Sequence, residues 1–244
     1  SYHPFLDYMK HLPQWDGLDR VTGLAKRISD DRLWIQGFRL WMLGMAAQWT
    51  GKEMIHANAL VPLLISRQQG LQKSTFCKLL VPNELQAYYT DSFDLASPAA
   101  AEQKLALFGL INLDEFDKIS EKKMPLLKNL LQMSRLNIRK SHQSNFSSLP
   151  RVASFIGTSN QKELLTDPTG SRRFLCIEVN EEIDSSPIDH AQLYAQLKTQ
   201  LDQGERYWMN KEEEAAWKKV NQSFYRISAE EDVFNRYYHK PLPG

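Results

Sequence analysis

The chain has 244 residues, 42% of them hydrophobic and 24% charged, and no low-complexity tract; a chain of that size buries one substantial core plus a small appendage, which excludes disorder and fibrous repeats. Thirty Lys and Arg against 29 Asp and Glu leave a net charge of +1, so a nucleic-acid-binding surface has to be local and not a property of the whole chain. Cys77 and Cys176 stand far apart with no CxxC or Cys/His cluster, which points to two ordinary thiols in a reducing compartment and away from a zinc site or a disulfide framework.

Tyr2 to Met9 reads as a short helix, and Pro13, Gly17 and Gly23 punctuate a loop after it. His3, Asp7, Lys10 and His11 stand where a secretory signal would have a basic head and an apolar run, so a cytoplasmic chain is expected. From Asp31 onward Leu33, Trp34, Phe38, Trp41, Met42, Met45 and Trp49 recur at helical spacing, with Asp30 or Asp31 as the cap and Gly51 as the stop. The tryptophans at this spacing are read as core and not as a base-stacking surface. The stretch Leu40 to Trp49 contains Gln48 and falls far short of the ~20 residues that span a bilayer, so no membrane partner is expected.

Ala59 to Ile65 predicts a short strand that enters a Gln-rich turn, followed by a helix from Lys73 to Leu80. Tyr88 to Thr90 predicts a strand, Pro98 to Leu105 a helix with proline in its first turn, and Phe108 to Asp114 a strand ending in acids. Met124 to Met133 is helical in spacing, while Leu136 to Leu149 is a polar, basic excursion suited to a hairpin. Val152 to Thr158 and Phe174 to Val179 are two further strands, the first running into Ser159 and Asn160. Ile188 to Leu201, Lys211 to Phe224 and Glu230 to Tyr238 read as helices, with Trp208, Trp217, Tyr237 and Tyr238 as packing residues. Alternating strands and helices predict an α/β fold with a mostly parallel sheet covered on both faces, which binds ligands at the carboxyl ends of its strands. The chain divides into an N-terminal helical region over 1–57, a core over 58–180 and a C-terminal helical region over 181–244. Its start at Ser1 suggests a domain excised from a longer protein.

Chemistry concentrates at those strand ends. A standard phosphate loop, G-x-x-x-x-G-K-[ST], wraps phosphate in backbone N–H groups, reaches it with lysine and binds magnesium through the hydroxyl. Aligned on Lys73, this chain has Arg67 and Gln72 at the glycine positions, with Gly70 as one flexible point and Ser74 and Thr75 after the lysine. By itself that match is weak, and Lys73 is as readily a solvated lysine at a helix start. The strand Leu110 to Leu113 finishing in Asp114 and Glu115 is the element such a loop needs: the first acid to hold Mg²⁺, the second to polarise the attacking water. Asp117 reads as a helix cap or a solvated acid. Asn160, after the next strand, is placed to contact a γ-phosphate or orient water, or is simply a turn residue. Arg172 and Arg173 precede the last strand and are suited to stabilise charge on a phosphoryl group transferred in a neighbouring subunit, or to form structural ion pairs. Arg135, Arg139, Lys140 and His142 crowd a segment without an apolar face, suited to the backbone of single-stranded DNA, with His142 or Phe146 available for stacking.

Taken together, Pro13 to Arg20, Gln69 to Phe76, Tyr89 to Phe93, Ile111 to Phe116, Phe155 to Asn160 and Thr169 to Phe174 resemble the virulence-associated protein E family of phage and mobile elements, which is related to superfamily 3 helicases. The resemblance implies a P-loop NTPase core of the ASCE/AAA+-like kind, a three-layer α/β/α sandwich flanked by helices, that binds ATP and Mg²⁺ between subunits of a ring, usually a hexamer. It implies Gly70, Gln72, Lys73, Ser74 and Thr75 as nucleotide-binding, Ser74 and Asp114 as metal-holding, and Glu115, Asn160, Arg172 and Arg173 as catalytic. Arg139, Lys140 and His142 would contact DNA in the central channel, and a primase-like domain would be a neighbour. The implied activity is an ATP-dependent DNA helicase or translocase in replication. The family has glycine where this chain has Gln72, which raises one alternative, a DNA-binding or assembly module impaired in nucleotide binding; a second, independent of Gln72, is an ATPase switch in defence or virulence that does not unwind DNA.

Overall fold

The computed structural model describes residues 3–51, 54–139 and 146–226. Three helices open the described chain, α1 (Pro4–Lys10), α2 (Arg20–Lys26) and α3 (Arg32–Trp49). There follow β1 (Val61–Ile65), α4 (Lys73–Leu79), β2 (Tyr89–Thr90), α5 (Pro98–Leu107), β3 (Leu110–Leu113) and α6 (Met124–Gln132). β4 (Arg135–Arg139) and β5 (Phe146–Pro150) form an antiparallel pair, and β6 (Ser154–Ser159), β7 (Phe174–Glu178), α7 (His190–Asp202) and α8 (Lys211–Val220) complete the described order. The helix expected over Glu230 to Tyr238 lies outside the described residues.

β2, β3, β6, β1 and β7 form one sheet in that order, and every pairing in it is parallel. Side chains alternate between its faces as strand geometry requires. Val61, Leu63 and Ile65 of β1, Ile111 and Leu113 of β3, and Phe155 of β6 join α5 and α6 in one buried cluster. Leu64, Leu110, Ile156 and Leu175 point the other way, into a cluster with α1 to α4 and α7. Helices therefore cover both faces, which is why the strands read as unbroken apolar runs and not as alternating ones.

The centre of the second cluster is α3. Asp31 caps it by accepting from the Trp34 amide at 2.9 Å, and Gly51 follows its end at a φ of 65°. Trp34, Trp41 and Trp49 are fully buried, and each indole N–H donates to a carbonyl, of Ala25, Phe155 and Gly109 respectively. A buried tryptophan needs such a partner for its polar edge, so these are core residues. Gly23, expected to break the chain, lies inside α2 instead. Asp19 caps that helix on the Thr22 amide, and Val21, Leu24 and Ala25 bury its inner face, which together outweigh the ~1 kcal/mol that glycine costs in a helix.

Arg151 pins the β4–β5 hairpin to the body. Fully buried between β5 and β6, its guanidinium donates to the carbonyls of Ala153 at 2.8 Å, Leu131 at 2.8 Å and Asn58 at 3.0 Å, and lies 5.5 Å from the Phe155 ring centre. Burial pulls its pKa down to about 9, so it remains charged at neutral pH.

Candidate functional site

β1, β6 and β3 lie side by side and run the same way, with Ile65 opposite Ser159 and Leu113 opposite Gly157. Their carboxyl ends deliver Ser66, Asn160 and the pair Asp114–Glu115 to a single edge. The segment after β1 turns back over that edge through Gly70 at a φ of 81° and Gln72 at φ 63°, ψ 21°, and α4 then begins at Lys73. Between them is a cleft of about 350 Å³ lined by Gln69 to Thr75, Asp114, Glu115, Thr158, Ser159 and Asn160. Gly70, Gln72, Lys73, Ser74, Thr75, Asp114, Glu115 and Asn160 are thus all brought together.

Lys73 is only 8% exposed, and its ammonium donates to Ser66 Oγ at 2.5 Å and Asn160 Oδ1 at 2.9 Å. Burial holds its pKa below the ordinary lysine value, against the opposing pull of Asp114 and Cys77. A half-desolvated cation resting on two neutral oxygens is suited to gain an anionic partner, because a charge-assisted bond is about twice as strong as a neutral one. Asp114 presents an exposed carboxylate to the cleft while Oδ1 accepts from Ser74 Oγ at 3.3 Å and from the Thr158 hydroxyl. Glu115 takes the left-handed conformation, φ 51° and ψ 50°, and pairs with Lys118 Nζ at 2.7 Å.

Gln72 has the backbone that glycine adopts without strain. Its side chain is bonded sideways: Thr75 Oγ1 donates to its Oε1 at 2.9 Å, and its Nε2 donates to Glu182 Oε1 at 3.4 Å. The Leu71 carbonyl accepts from the Ile183 amide at 3.2 Å, which anchors the loop to the segment after β7.

Asp117 is not the cap or solvated acid expected of it. It is half-buried and accepts from Ser159 Oγ at 2.7 Å. The 3₁₀ turn Phe116–Lys118 bends it back toward the tip of β6, and that turn depends on the left-handed backbone of Glu115, for which the sequence carries no signal. Ser66 is likewise a site residue found only in three dimensions, and Thr158, legible as part of the polar stretch that ends at Asn160, has its partner Asp114 shown only by the fold. The signal for Ser66 was position alone, beside the tip of a buried strand.

Arg172 and Arg173 do not join the cleft of their own chain. They end the 3₁₀ turn Pro168–Arg173 ahead of β7, and because β7 runs parallel to β1 they lie at the opposite edge of the sheet. Arg172 pairs with Glu214 of α8 at 3.5 Å, and burial together with the charge of Arg172 holds the Arg173 pKa below its ordinary value. On the hairpin, Arg135 and Asn137 occupy alternate positions and so share one face, while Leu136 is buried; Arg139 ends β4. Lys140 and His142 lie outside the described residues. Cys77 and Cys176 are free and buried, their thiols pushed well up by burial, which leaves them as packing groups.

No group of three or more His, Cys, Asp or Glu among the described residues could hold a metal ion. Within the cleft the Asp114 carboxylate stands beside the Ser74 hydroxyl. That hard-oxygen pair fits Mg²⁺, which takes one or two protein ligands and completes its shell with phosphate and water. No described helix is long and apolar enough to cross a membrane.

The model of the virulence-associated protein E-like domain matches residues 9–226. The chain belongs to this family. Virulence-associated protein E-like domains are thus the relatives against which the site is to be read, and no curated protein matches the chain. Among solved structures, the apo structure of the NrS-1 C-terminal region aligns with a TM-score of 0.50 at 16% identity, covering 96% of this chain and 55% of that one. An A-form apo structure of the same region gives 0.49 at 16% identity, covering 96% and 54%. The virulence-associated protein E-like chain therefore spans about half the length of these structures, and at 16% identity the likeness to the first speaks for the fold alone.

Proposed function

We propose that this chain is a P-loop ATPase of the superfamily 3 helicase type that acts on single-stranded DNA in the replication of a phage or mobile element. The observation that carries the reading is the convergence of Lys73, Ser74, Asp114, Glu115 and Asn160 on one cleft from three adjacent parallel strands. Family membership supports it. In this reading Lys73 leaves Ser66 and Asn160 for the phosphate oxygens of ATP, and Asn160, released, orients the terminal phosphate or the attacking water. Glu115 takes the proton of that water. Asp114 and Ser74 would hold Mg²⁺, whose charge offsets that of the phosphates.

Arg172 and Arg173, at the far edge of the sheet, are suited to the site of a neighbouring subunit in a ring, usually a hexamer. The basic segment of sequence around Arg139, Lys140 and His142 would follow the DNA backbone, and a primase-like domain would work alongside. The rival reading, a module that has lost nucleotide binding, rests on Gln72; the sideways bonding of that side chain to Thr75 and Glu182 weighs against it. Titration of the purified chain with Mg²⁺–ATP tests the two. Saturable binding is expected, with affinity lowered about tenfold or more in Lys73→Ala, the order of effect for a hydrogen-bonded charge. Absence of binding by the unmodified chain at millimolar ATP would favour the rival.

A further inference from the structure

The Thr158 hydroxyl ties Asp114 to the tip of β6 at the strand ends, and beyond Glu115 and Asn160 the two loops are joined twice more. Asp117, two residues beyond Glu115, accepts from the hydroxyl of Ser159, the neighbour of Asn160, at 2.7 Å. The second join comes from a distant part of the chain. Arg226 donates through Nη2 to the carbonyl of Asp117 and through Nε to the carbonyl of Glu163 at 3.2 Å. Its own amide donates to the Leu165 carbonyl at 2.9 Å, and the Leu164 and Leu165 amides donate to the Phe224 carbonyl at 3.0 and 2.9 Å. The segment Phe224 to Arg226 thus lies along the loop after β6 like a short extra strand, with Tyr225 bridged to Leu165.

We propose that Arg226 is a positioning residue for the ATPase reaction: one planar guanidinium bound to main-chain oxygens of both loops fixes the separation of Glu115 from Asn160. It touches neither nucleotide nor water itself. A fork of rigidly related donors suits this task, since lysine offers a single point charge on a flexible stem. The turn it holds is the one in which Glu115 has a left-handed backbone, so the turn has an incentive to relax when released. Misplacing a base by about an ångström is enough to cost up to ~100-fold in rate. Lys73, Ser74 and Asp114, which would bind the nucleotide, make no contact with Arg226 in the hydrogen bonds and ion pairs of the described residues.

The inference rests on the ATPase reading and makes a distinct demand. Arg226→Ala should lower kcat for ATP by about tenfold, equivalent to ~1.4 kcal/mol in the barrier, with ATP affinity and thermal midpoint near those of the unmodified chain. Arg226→Lys should recover only part of the loss, and Asp117→Ala, which removes the other join, should make Arg226→Ala more harmful than in the unmodified background. An unchanged kcat in Arg226→Ala, or a kcat that falls only in step with ATP affinity or thermal midpoint, would overturn the positioning role while leaving the ATPase reading intact. An unmodified chain that hydrolyses no ATP would overturn both.

Discussion

Gln72 stands where a phosphate loop normally has glycine, yet its backbone is held at a φ of 63°. A left-handed conformation costs an L-residue roughly 1–2 kcal/mol. The bonds of its carboxamide to Thr75 and Glu182, at about 0.5–1.5 kcal/mol each, are of the size needed to offset that cost. The loop conformation is therefore compatible with a side chain at this position. Gln72→Gly is accordingly expected to change ATP affinity by less than about threefold, because strain relief and lost hydrogen bonds nearly cancel; equilibrium titration measures this, and a gain of more than tenfold would show that the side chain obstructs the site. Lys73 presents the complementary case. Its ammonium is largely withdrawn from water onto neutral oxygens, which is a cost that a phosphate ligand removes.

At the scale of elements, the cleft is made by three strand tips and one loop, and strand identity was legible because β1, β3 and β6 are buried on both faces and read as apolar runs. The cap of α3 was equally open to reading, since Asp31 accepts from an amide of the first turn, whereas the same bonds from Asp19 in α2 and Asp189 in α7 emerged only in the fold. What could not be read were contacts between elements distant in sequence, such as Arg226 to Asp117 and Glu163, which have no local pattern. The turn bearing Arg172 and Arg173 shows a similar long-range tie. It begins at Asp167, whose pKa is held down to about 2, first of all by its bond to Lys128 and then by Thr169. A carboxylate whose folded pKa lies below its unfolded one near 3.9 stabilises the fold above that value and ceases to do so as the pH falls toward 2. Because Asp167 is more than a third exposed, the contribution is expected to be about 1 kcal/mol or less. Asp167→Asn should thus be less stable than the unmodified chain at pH 7 by about that amount, with the gap closing toward pH 2 in denaturant titrations; a gap that did not vary with pH would assign the effect to something other than charge.

For the whole molecule, the decisive feature is strand order. β6 lies between β1 and β3, so the residue that follows it, Asn160, is inserted between the loop lysine and the two acids. The linear sequence places these groups in the order lysine, acids, asparagine, and the interleaving exists only in the folded sheet. The same parallel arrangement sends Arg172 and Arg173 to the opposite ends of the strands, away from the cleft of their own chain, and in the proposed ring a neighbouring copy would bring them to it. The most direct test of this account is the steady-state rate of ATP hydrolysis, with Mg²⁺ and single-stranded DNA, of the unmodified chain against Glu115→Gln. The account predicts turnover stimulated by DNA in the former and a loss of ~100-fold or more in the latter, as expected on removing a general base. Equal rates in the two proteins, or no hydrolysis in either, would contradict it.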